Sequence, residues 1–262
     1  MLRRTQAVAP NPLLTLTSAF SLVDVGLTSS NIVTVRRLSD NATQNFTTDE
    51  ITNGTLTTFV GVSNDGKVER MIDHQGNYDV FNIVTTLQPL IVENGNLILE
   101  NGLPALKFQD DSYLENGILL DYPDLTIVTV NRSISNTANS RAFGIRSTNG
   151  SNRNTFAQAS DNSLRYDGGF SSGSISPNKA LKIRFSSKEG TQVYDYLDST
   201  ENINNTVNTL NNANGYINLG GPQANLTQRF DGVILGAFIW ETNKINDRVE
   251  ITNYINSLFN VY

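Results

Sequence analysis

One stretch near the end of the chain, residues 233–240, constrains the fold more than any other. Both faces of this stretch are apolar on an extended chain: Val233, Leu235, Ala237 and Ile239 point one way, and Ile234, Gly236, Phe238 and Trp240 point the other. A strand without a polar face must be covered on both sides. The stretch therefore predicts the central strand of a layered structure, in which Trp240 is buried rather than free to stack on a ligand.

A helical pattern follows this strand after a short polar link. Asn246 or Asp247 is placed to cap a helix. Apolar and aromatic residues then recur at helical spacing, at Val249, Ile251, Tyr254, Ile255 and Leu258. The pattern predicts a short C-terminal helix.

The middle of the chain alternates short runs of β-forming residues with Gly and Asn. Asn94-Gly95 and Asn101-Gly102 each separate two such runs, and a type I′ hairpin turn needs positive φ at both central residues. Further strands are predicted at 125–131, 141–145, 154–159, 163–166, 180–185, 192–197 and 216–219. The Asn-rich segment 198–214 has little pattern and is predicted to be a surface loop. Short strands at this spacing are typical of a β-sandwich.

Composition limits the partners of such a domain. The chain has 262 residues, of which 38% are hydrophobic and 17% charged, so there is enough apolar material for one sizeable core. A net charge of -6 argues against nucleic acid and against an anionic membrane as partners, because both need a basic surface. There is no cysteine, which excludes disulfides, thiol chemistry and cysteine metal ligands.

The first 30 residues differ from the rest of the chain. Residues 1–28 show no sustained period and contain two prolines, and one short strand is predicted at 13–16. We therefore predict an N-terminal arm at 1–30 and a single sandwich domain at 31–262. Because such arms are ordered mainly by what holds them down, this arm is expected to contact other subunits. Its candidate assembly residues are Arg3, Arg4, Leu13 and Leu14.

Two motifs carry a resemblance to a known family. The sequence F-D-G-x-I at residues 230–234, followed by Y-I-N at 254–256 on the predicted helix, resembles the C-terminal signature of concanavalin A-like (laminin-G-like) jelly-roll domains. The sequence V-R-R-x-S-D-N-A-x-Q-x-F-T-x-D-E-I at residues 35–51 is similar to a segment that precedes such domains in phage virion proteins. The same segment occurs in arabinofuranosidase B-like catalytic domains. The resemblance implies an all-β fold, a concanavalin A-like jelly-roll β-sandwich with a short C-terminal helix.

The resemblance also implies a role. We expect a non-enzymatic structural component of a phage virion, such as a capsid decoration, head-fibre or tail protein, which contacts other virion proteins. Binding of a host cell-surface glycan is an added expectation, since many copies on one particle raise the avidity of weak sites. A homo-oligomer located in the virion follows from this view. Two alternatives stay open: a secreted, extracellular glycan-binding module of a bacterium, and a glycoside hydrolase.

Sugar binding needs flat aromatic side chains for the ring face, with amides or carboxylates for the hydroxyl groups. The segment 164–170 combines these groups and predicts a carbohydrate site at Arg165, Tyr166, Asp167 and Phe170; a strand that ends in a turn explains the same residues without a ligand. A hydrolase instead needs two carboxylates. The candidates are scattered over loops without diagnostic spacing: Asp73, Asp79, Glu93, Glu115, Asp121, Asp167 and Glu189. No catalytic residue is therefore assigned.

The loop at 73–79 offers a candidate metal site. Asp73, Asn77 and Asp79 present the oxygen ligands that calcium prefers, so calcium is the one candidate cofactor of a chain otherwise expected to need none. The neighbouring His74 is the only histidine. Histidine catalysis needs an orienting partner and a nucleophile, and the sequence singles out neither. We therefore interpret His74 as a loop residue rather than as a general base or a metal ligand.

Overall fold

A computed structural model describes residues 11–27, 31–109, 111–134, 141–146, 156–159, 164–166, 169–171, 180–206, 213–221 and 229–262. The first strands are β1 (Ser18–Ser21), β2 (Val33–Arg37), β3 (Thr43–Phe46), β4 (Gly66–Met71), β5 (Val80–Phe81), β6 (Leu90–Glu93), β7 (Asn96–Leu97), β8 (Leu99–Glu100), β9 (Leu103–Pro104), β10 (Leu106–Phe108), β11 (Leu114–Glu115) and β12 (Leu120–Tyr122). The later strands are β13 (Leu125–Ser133), β14 (Arg141–Arg146), β15 (Phe156–Ala159), β16 (Leu164–Tyr166), β17 (Gly169–Ser171), β18 (Lys182–Glu189), β19 (Gln192–Leu197), β20 (Thr200–Thr206), β21 (Ala213–Leu219) and β22 (Gly232–Trp240). The helices are α1 (Thr48–Thr52), α2 (Thr55–Val60) and α3 (Arg248–Phe259).

Antiparallel strands form two packed layers. In the first layer the strand order is β20-β19-β18-β13-β22, and β1 pairs with the free edge of β22. In the second layer the order is β5-β11-β21-β14-β15-β16-β17. The main core lies between the layers and includes Ile127 of β13 and Ile217 of β21. The chain is therefore an all-β jelly-roll sandwich, and the predicted fold class is confirmed.

Strand β22 is the central strand that its sequence predicts. All nine of its residues are buried, because its two faces pack into two different cores. Ile239 packs into the main core between the layers, and Trp240 packs into a second core beneath α3. Leu235, predicted to share the face of Ile239, packs into the second core instead. The reason is a β-bulge: the register with β13 shifts between Val130 and Asn131, and the extra residue changes the phase of the alternation. Trp240 is fully buried and is not available to a ligand.

The predicted C-terminal helix is confirmed as α3. Asp247 occupies the N-cap position but its side chain makes no capping hydrogen bond. Ile251, Ile255 and Phe259 are buried against the first layer, and Val249, part of the predicted apolar stripe, is 56% exposed. The buried stripe is thus narrower at its start than the periodicity alone indicates.

Both predicted Asn-Gly hairpins form. Asn94 and Gly95 have φ values of 51° and 78°, and Asn101 and Gly102 have 50° and 78°. These turns connect β6 to β7 and β8 to β9. The positive φ values are what a type I′ turn requires, so the local chemistry of Asn and Gly decided these connections.

Two segments differ from their predictions. Residues 12–15 form a 3-10 helix, Pro12–Thr15, rather than a strand; Asn11 caps it by accepting the N–H of Leu13. The strand in this region is β1, which pairs with β22 from Ser18↔Ile239 to Ser21↔Gly236. The segment predicted as a loop at 198–214 contains strand β20, which is paired along β19. A long-range or edge pairing of this kind overrides a weak local pattern.

Among the residues that the structure describes, no helix is both long and apolar enough to cross a membrane.

Candidate functional site

The two layers present different outer faces. On the first layer Phe185 and Trp240 pack together with Ile255 of α3, so the helix covers that face. On the second layer strand alternation places Glu115 and Asn218 on the face opposite the main core. The second layer therefore carries the face on which a ligand site can form.

A row of paired residues crosses this face. The strand register joins Arg70 of β4 to Phe81 of β5, Phe81 to Glu115 of β11, and Glu115 to Asn218 of β21. Residues directly opposite each other on paired strands share one face of the sheet. A guanidinium, an aromatic ring, a carboxylate and an amide thus follow one another across four strands.

A depression lies along this row, and we call it the outer groove. Its larger part has a volume of about 430 Å³ and its smaller part about 310 Å³. Phe81 and Gly117 line both parts, whereas Glu115 and Tyr216 line the larger and Arg70 lines the smaller. Aromatic rings beside a few polar groups are typical of small-molecule sites.

The smaller part of the outer groove is held by an ion pair. Arg70 lies 3.2 Å from the Asp79 carboxylate, and its guanidinium carbon is 5.5 Å from the centre of the Phe81 ring. The second oxygen of Asp79 accepts the backbone N–H of Asp73 at 3.0 Å. Asp79 therefore fixes both the loop before β5 and the cation beside Phe81.

A buried cation, Arg229, lies near Glu115, which lines the larger part of the outer groove. The guanidinium carbon of Arg229 lies 3.8 Å from the centre of the Tyr113 ring, and both residues are buried. Burial lowers the pKa of Arg229, and the nearby Tyr113, Asp111 and Glu115 oppose that shift. Burial raises the pKa of the Tyr113 hydroxyl, and the charge of Arg229 opposes this. The Arg229 cation and the Glu115 carboxylate thus share a poorly solvated region. Charge interactions in such a region are stronger than in water.

The sequence-predicted carbohydrate residues lie at one edge of the same layer. Arg165 and Tyr166 belong to β16 and Phe170 to β17, and Arg165 is the register partner of Phe170. Asp167 lies outside the described residues, and so do the side chains of the other three. Strands β14 and β15 separate them from the outer groove at β21. Carbohydrate binding by these four residues stays a prediction.

The Asp73 carboxylate, predicted as a calcium ligand, holds backbone amides. Its Oδ1 accepts the N–H groups of Ala19 and Gln75 at 2.8 and 3.1 Å. Its Oδ2 accepts those of Asn77 and Tyr78, both at 3.0 Å. Four amides thus occupy a carboxylate that is 1% exposed, and this explains the residue without a cation.

The other two predicted calcium ligands are also engaged in the fold. Asn77 donates its side-chain N–H to the carbonyl of Thr17 at 2.7 Å, and Asp79 pairs with Arg70. Among the described residues, no three His, Cys, Asp or Glu side chains converge as a metal site. Calcium binding in this loop stays a prediction, and the observed contacts make the loop a clamp on β1.

His74 is part of the same clamp. Its backbone N–H donates to the Ala19 carbonyl at 2.9 Å, and its Nε2 donates to the Ser21 carbonyl at 3.0 Å. The residue is 6% exposed. Burial lowers the pKa of His74, while the Ser21 bond and the charges of Asp73 and Asp24 oppose this shift. These contacts agree with the interpretation of His74 as a loop residue.

We expect the protein to lose stability as the pH falls below about 6.5, the pKa of an unperturbed histidine. The folded state favours neutral His74, so its pKa is lower in the folded than in the unfolded chain. Between these two pKa values the unfolded chain binds more protons than the folded one. Stability therefore decreases as the pH decreases through this window. Urea unfolding of the wild type and of His74→Gln at several pH values measures this. The variant should lose less stability across that window, and equal losses in the two proteins would show that other groups cause the effect.

The structure describes residues 11–27 of the predicted arm. Arg3 and Arg4 lie outside the described residues. Leu13 is fully buried in the second core, whereas Leu14 is 65% exposed. The second half of the arm therefore packs on its own sandwich through Leu13 and β1, and contact with another subunit stays a prediction.

The side chains of the segment at residues 35–51 stabilise the local fold through hydrogen bonds. Arg37 donates two hydrogen bonds to Asp40, at 2.9 and 2.7 Å, and one to the Phe59 carbonyl at 2.7 Å. Thr47 and Glu50 form a reciprocal capping box at the start of α1. The segment thus builds the β2–β3 hairpin and its helix, and it contributes nothing to the outer groove.

Solved structures with a similar fold include two arabinofuranosidases. A GH54 α-L-arabinofuranosidase soaked with a cyclic sulfate inhibitor has the same fold, with a TM-score of 0.66 and 10% identity. An arabinofuranosidase complexed with arabinofuranosyl-alpha-1,2-xylobiose gives a TM-score of 0.67 and 10% identity. In both, the likeness covers 92% of this chain and 62% of the other. No family model matches the sequence, and no curated protein matches it.

This likeness contradicts the expectation that the chain is not an enzyme. The fold it shares along nearly its whole length is that of named arabinofuranosidases. An identity of 10% shows the fold alone, and this chain spans only 62% of the length of those proteins. The jelly-roll part of the sequence resemblance is thus supported, and nothing in these structures connects the chain to a phage.

Sequence reasoning found part of the outer groove. Glu115 and Asp79 are among the scattered carboxylates that are candidates for a hydrolase, whereas no sequence pattern points to Phe81 or Tyr216. Phe81 ends a two-residue strand and Tyr216 lies on β21, far away in sequence. The one available signal is the apolar pair Ile83-Val84 directly after a strand and outside any strand or helix pattern.

Proposed function

We propose that the protein binds carbohydrate in the outer groove. The observation that carries the proposal is the pairing of Phe81 with Glu115 across β5 and β11, with Tyr216 lining the same part. An aromatic ring accepts the apolar face of a sugar, and a carboxylate accepts hydrogen bonds from its hydroxyl groups. The likeness of the fold to arabinofuranosidases supports glycans as the class of ligand.

The test is direct binding followed by an assay for turnover. Purified protein is screened on an array of plant and bacterial surface glycans, with arabinofuranosyl oligosaccharides included because of the structural likeness. Each hit is measured by titration calorimetry and then incubated to detect released sugar. Binding supports the proposal, released sugar adds a hydrolase activity to it, and absence of binding on the whole array contradicts it.

Replacing Phe81 by alanine should weaken glycan affinity by about tenfold, because the apolar contact between the aromatic ring and the sugar face is lost. Titration calorimetry of Phe81→Ala and wild type on the same hit measures this. Tyr262→Ala is the matched control, because Tyr262 is an aromatic residue that is 52% exposed and does not line the outer groove. Equal affinity of Phe81→Ala and wild type would place the binding site elsewhere, with the β16–β17 residues as the next candidates.

The setting of this binding is a second part of the proposal. We propose a structural component of a phage virion, on the sole ground that the segment at residues 35–51 resembles segments of virion proteins. Mass spectrometry of purified virions from the source of the sequence tests this. Detection at many copies per particle supports it, and absence from virions leaves the extracellular glycan-binding module as the better setting.

A further inference from the structure

The rim of the outer groove is apolar, although a glycan is polar. Ile83 and Val84 are 76% and 47% exposed, and Ile118 and Leu119 are 52% and 59% exposed. The first pair follows β5 and lines the larger part, and Ile118 lines the smaller part. Large aliphatic side chains exposed together around a depression mark a binding surface more often than chance exposure does.

The first rim loop is held in place by a buried amide. Asn82 is 4% exposed; its Oδ1 accepts the N–H of Val84 at 2.9 Å and its Nδ2 donates to the Tyr113 carbonyl at 3.1 Å. Gln88 in turn donates to the Asn82 carbonyl at 2.6 Å. The loop therefore cannot fold its aliphatic side chains into the core without breaking buried hydrogen bonds.

The second rim loop is built in the same way. Asn116 is 3% exposed; its Nδ2 donates to the Ile118 carbonyl at 2.9 Å and its Oδ1 accepts the N–H of Ile217 at 2.7 Å. Each loop thus has a buried asparagine at its base and aliphatic side chains at its tip. Two fixed loops that hold apolar groups toward solvent form a preorganised surface, which lowers the entropic cost of binding.

The floor and the rim of the outer groove call for different ligand chemistry. In the larger part, the Glu115 carboxylate can accept hydrogen bonds from hydroxyl groups, and Tyr216 offers a ring and a hydroxyl. Both groups suit the hydroxyl groups of a sugar. The exposed side chains of the rim are aliphatic. A hydroxyl group placed against them would find no hydrogen-bond partner.

We propose that the outer groove recognises a glycan that carries an apolar substituent, an acyl or aryl group, on the bound sugar. The sugar lies toward Glu115 and Tyr216, and the substituent lies between the two rim loops. This inference rests on the proposed carbohydrate binding and names the class of glycan.

The test compares two ligands that differ only in the substituent, the methyl and 4-nitrophenyl glycosides of the sugar that binds. The 4-nitrophenyl glycoside should bind roughly tenfold more tightly to the wild type, because its ring is removed from water at the rim. In the double variant Ile83→Ser, Ile118→Ser that advantage should disappear, as measured by the ratio of the two affinities on the same protein. Both positions are exposed, so the variant is expected to fold.

Val62→Ser is the matched control, since Val62 is 91% exposed and does not line the outer groove. It should keep the full preference for the aryl glycoside. Equal affinities of the two glycosides for the wild type would overturn this inference and leave carbohydrate binding standing. If neither glycoside binds, the inference fails, and the glycan array alone decides whether carbohydrate binding stands. A change in sedimentation of the double variant without any change in preference would show that the rim is an interface between copies of the chain, and would also overturn the inference.

Discussion

Replacing Asp195 by alanine is expected to lower the free energy of unfolding by about 3 to 5 kcal/mol, the cost of leaving a buried charge without its partner. Asp195 of β19 accepts two hydrogen bonds from Arg184 of β18, at 2.9 and 2.8 Å, and one from the Ser186 hydroxyl. The side chains of Asp195 and Arg184 are 0% and 3% exposed. Urea unfolding at neutral pH measures the loss.

The effect should be large because this pair anchors a polar network between the two layers. Gln158 of β15 donates to the Ser186 hydroxyl at 2.8 Å and to the Arg184 carbonyl at 3.1 Å, and it accepts from Thr129 of β13. Gln158 is fully buried and is the only residue of β15 whose side chain is described. Removing Asp195 therefore also weakens the attachment of β15 to the first layer.

Two comparisons separate this mechanism from a general loss of charge. Glu93→Ala breaks the partly exposed pair with Lys107, whose side chains are 39% and 26% exposed, and should cost at most about 1 kcal/mol. The double variant Arg184→Met, Asp195→Leu removes both buried charges and should be more stable than Asp195→Ala. A loss in Asp195→Ala no larger than that in Glu93→Ala would mean that the pair is solvated in solution.

Replacing Asp73 by alanine is the second large expected effect, a loss of about 3 kcal/mol or more in the free energy of unfolding, because buried N–H groups lose their acceptor. Of the four donors, Ala19 lies on β1 and the other three lie in the loop after Asp73. The loss should be concentrated at β1. Hydrogen exchange at Ala19 is therefore expected to accelerate more than exchange at Phe238, its register partner on β22.

Asp24→Ala is the matched control for the clamp. Asp24 is exposed and accepts the N–H of Gly26 at 2.8 Å, so its removal should cost a few tenths of a kcal/mol. Asp73→Asn should lie between the two, since it keeps one acceptor oxygen and places an amide group against two donors. Unchanged exchange at Ala19 in Asp73→Ala would show that pairing with β22 alone holds β1. Calcium added to the wild type tests the earlier metal prediction: a rise in unfolding temperature would support it.

The loop at 73–79 shows why a site is harder to predict than a fold. Asp73, Asn77 and Asp79 have the composition of a calcium loop, and their spacing in sequence is compatible with one. Whether their oxygens point at a cation or at backbone amides depends on which segment lies beside the loop. That segment is β1, 54 residues away from Asp73 at the Ala19 contact, and no local pattern encodes its approach.

The sequence by itself determined the elements whose causes are local. Two apolar faces required β22 to be covered on both sides, helical spacing placed α3, and positive φ at Asn94-Gly95 made a hairpin. The tertiary structure alone decided the pairing of β1 with β22, the strand β20 in a weakly patterned segment, and the outer groove. The groove brings Phe81, Glu115 and Tyr216 together from three strands. Each such contact depends on which strands become neighbours, and strand order is set by packing of the whole sandwich rather than by the residues of any one strand.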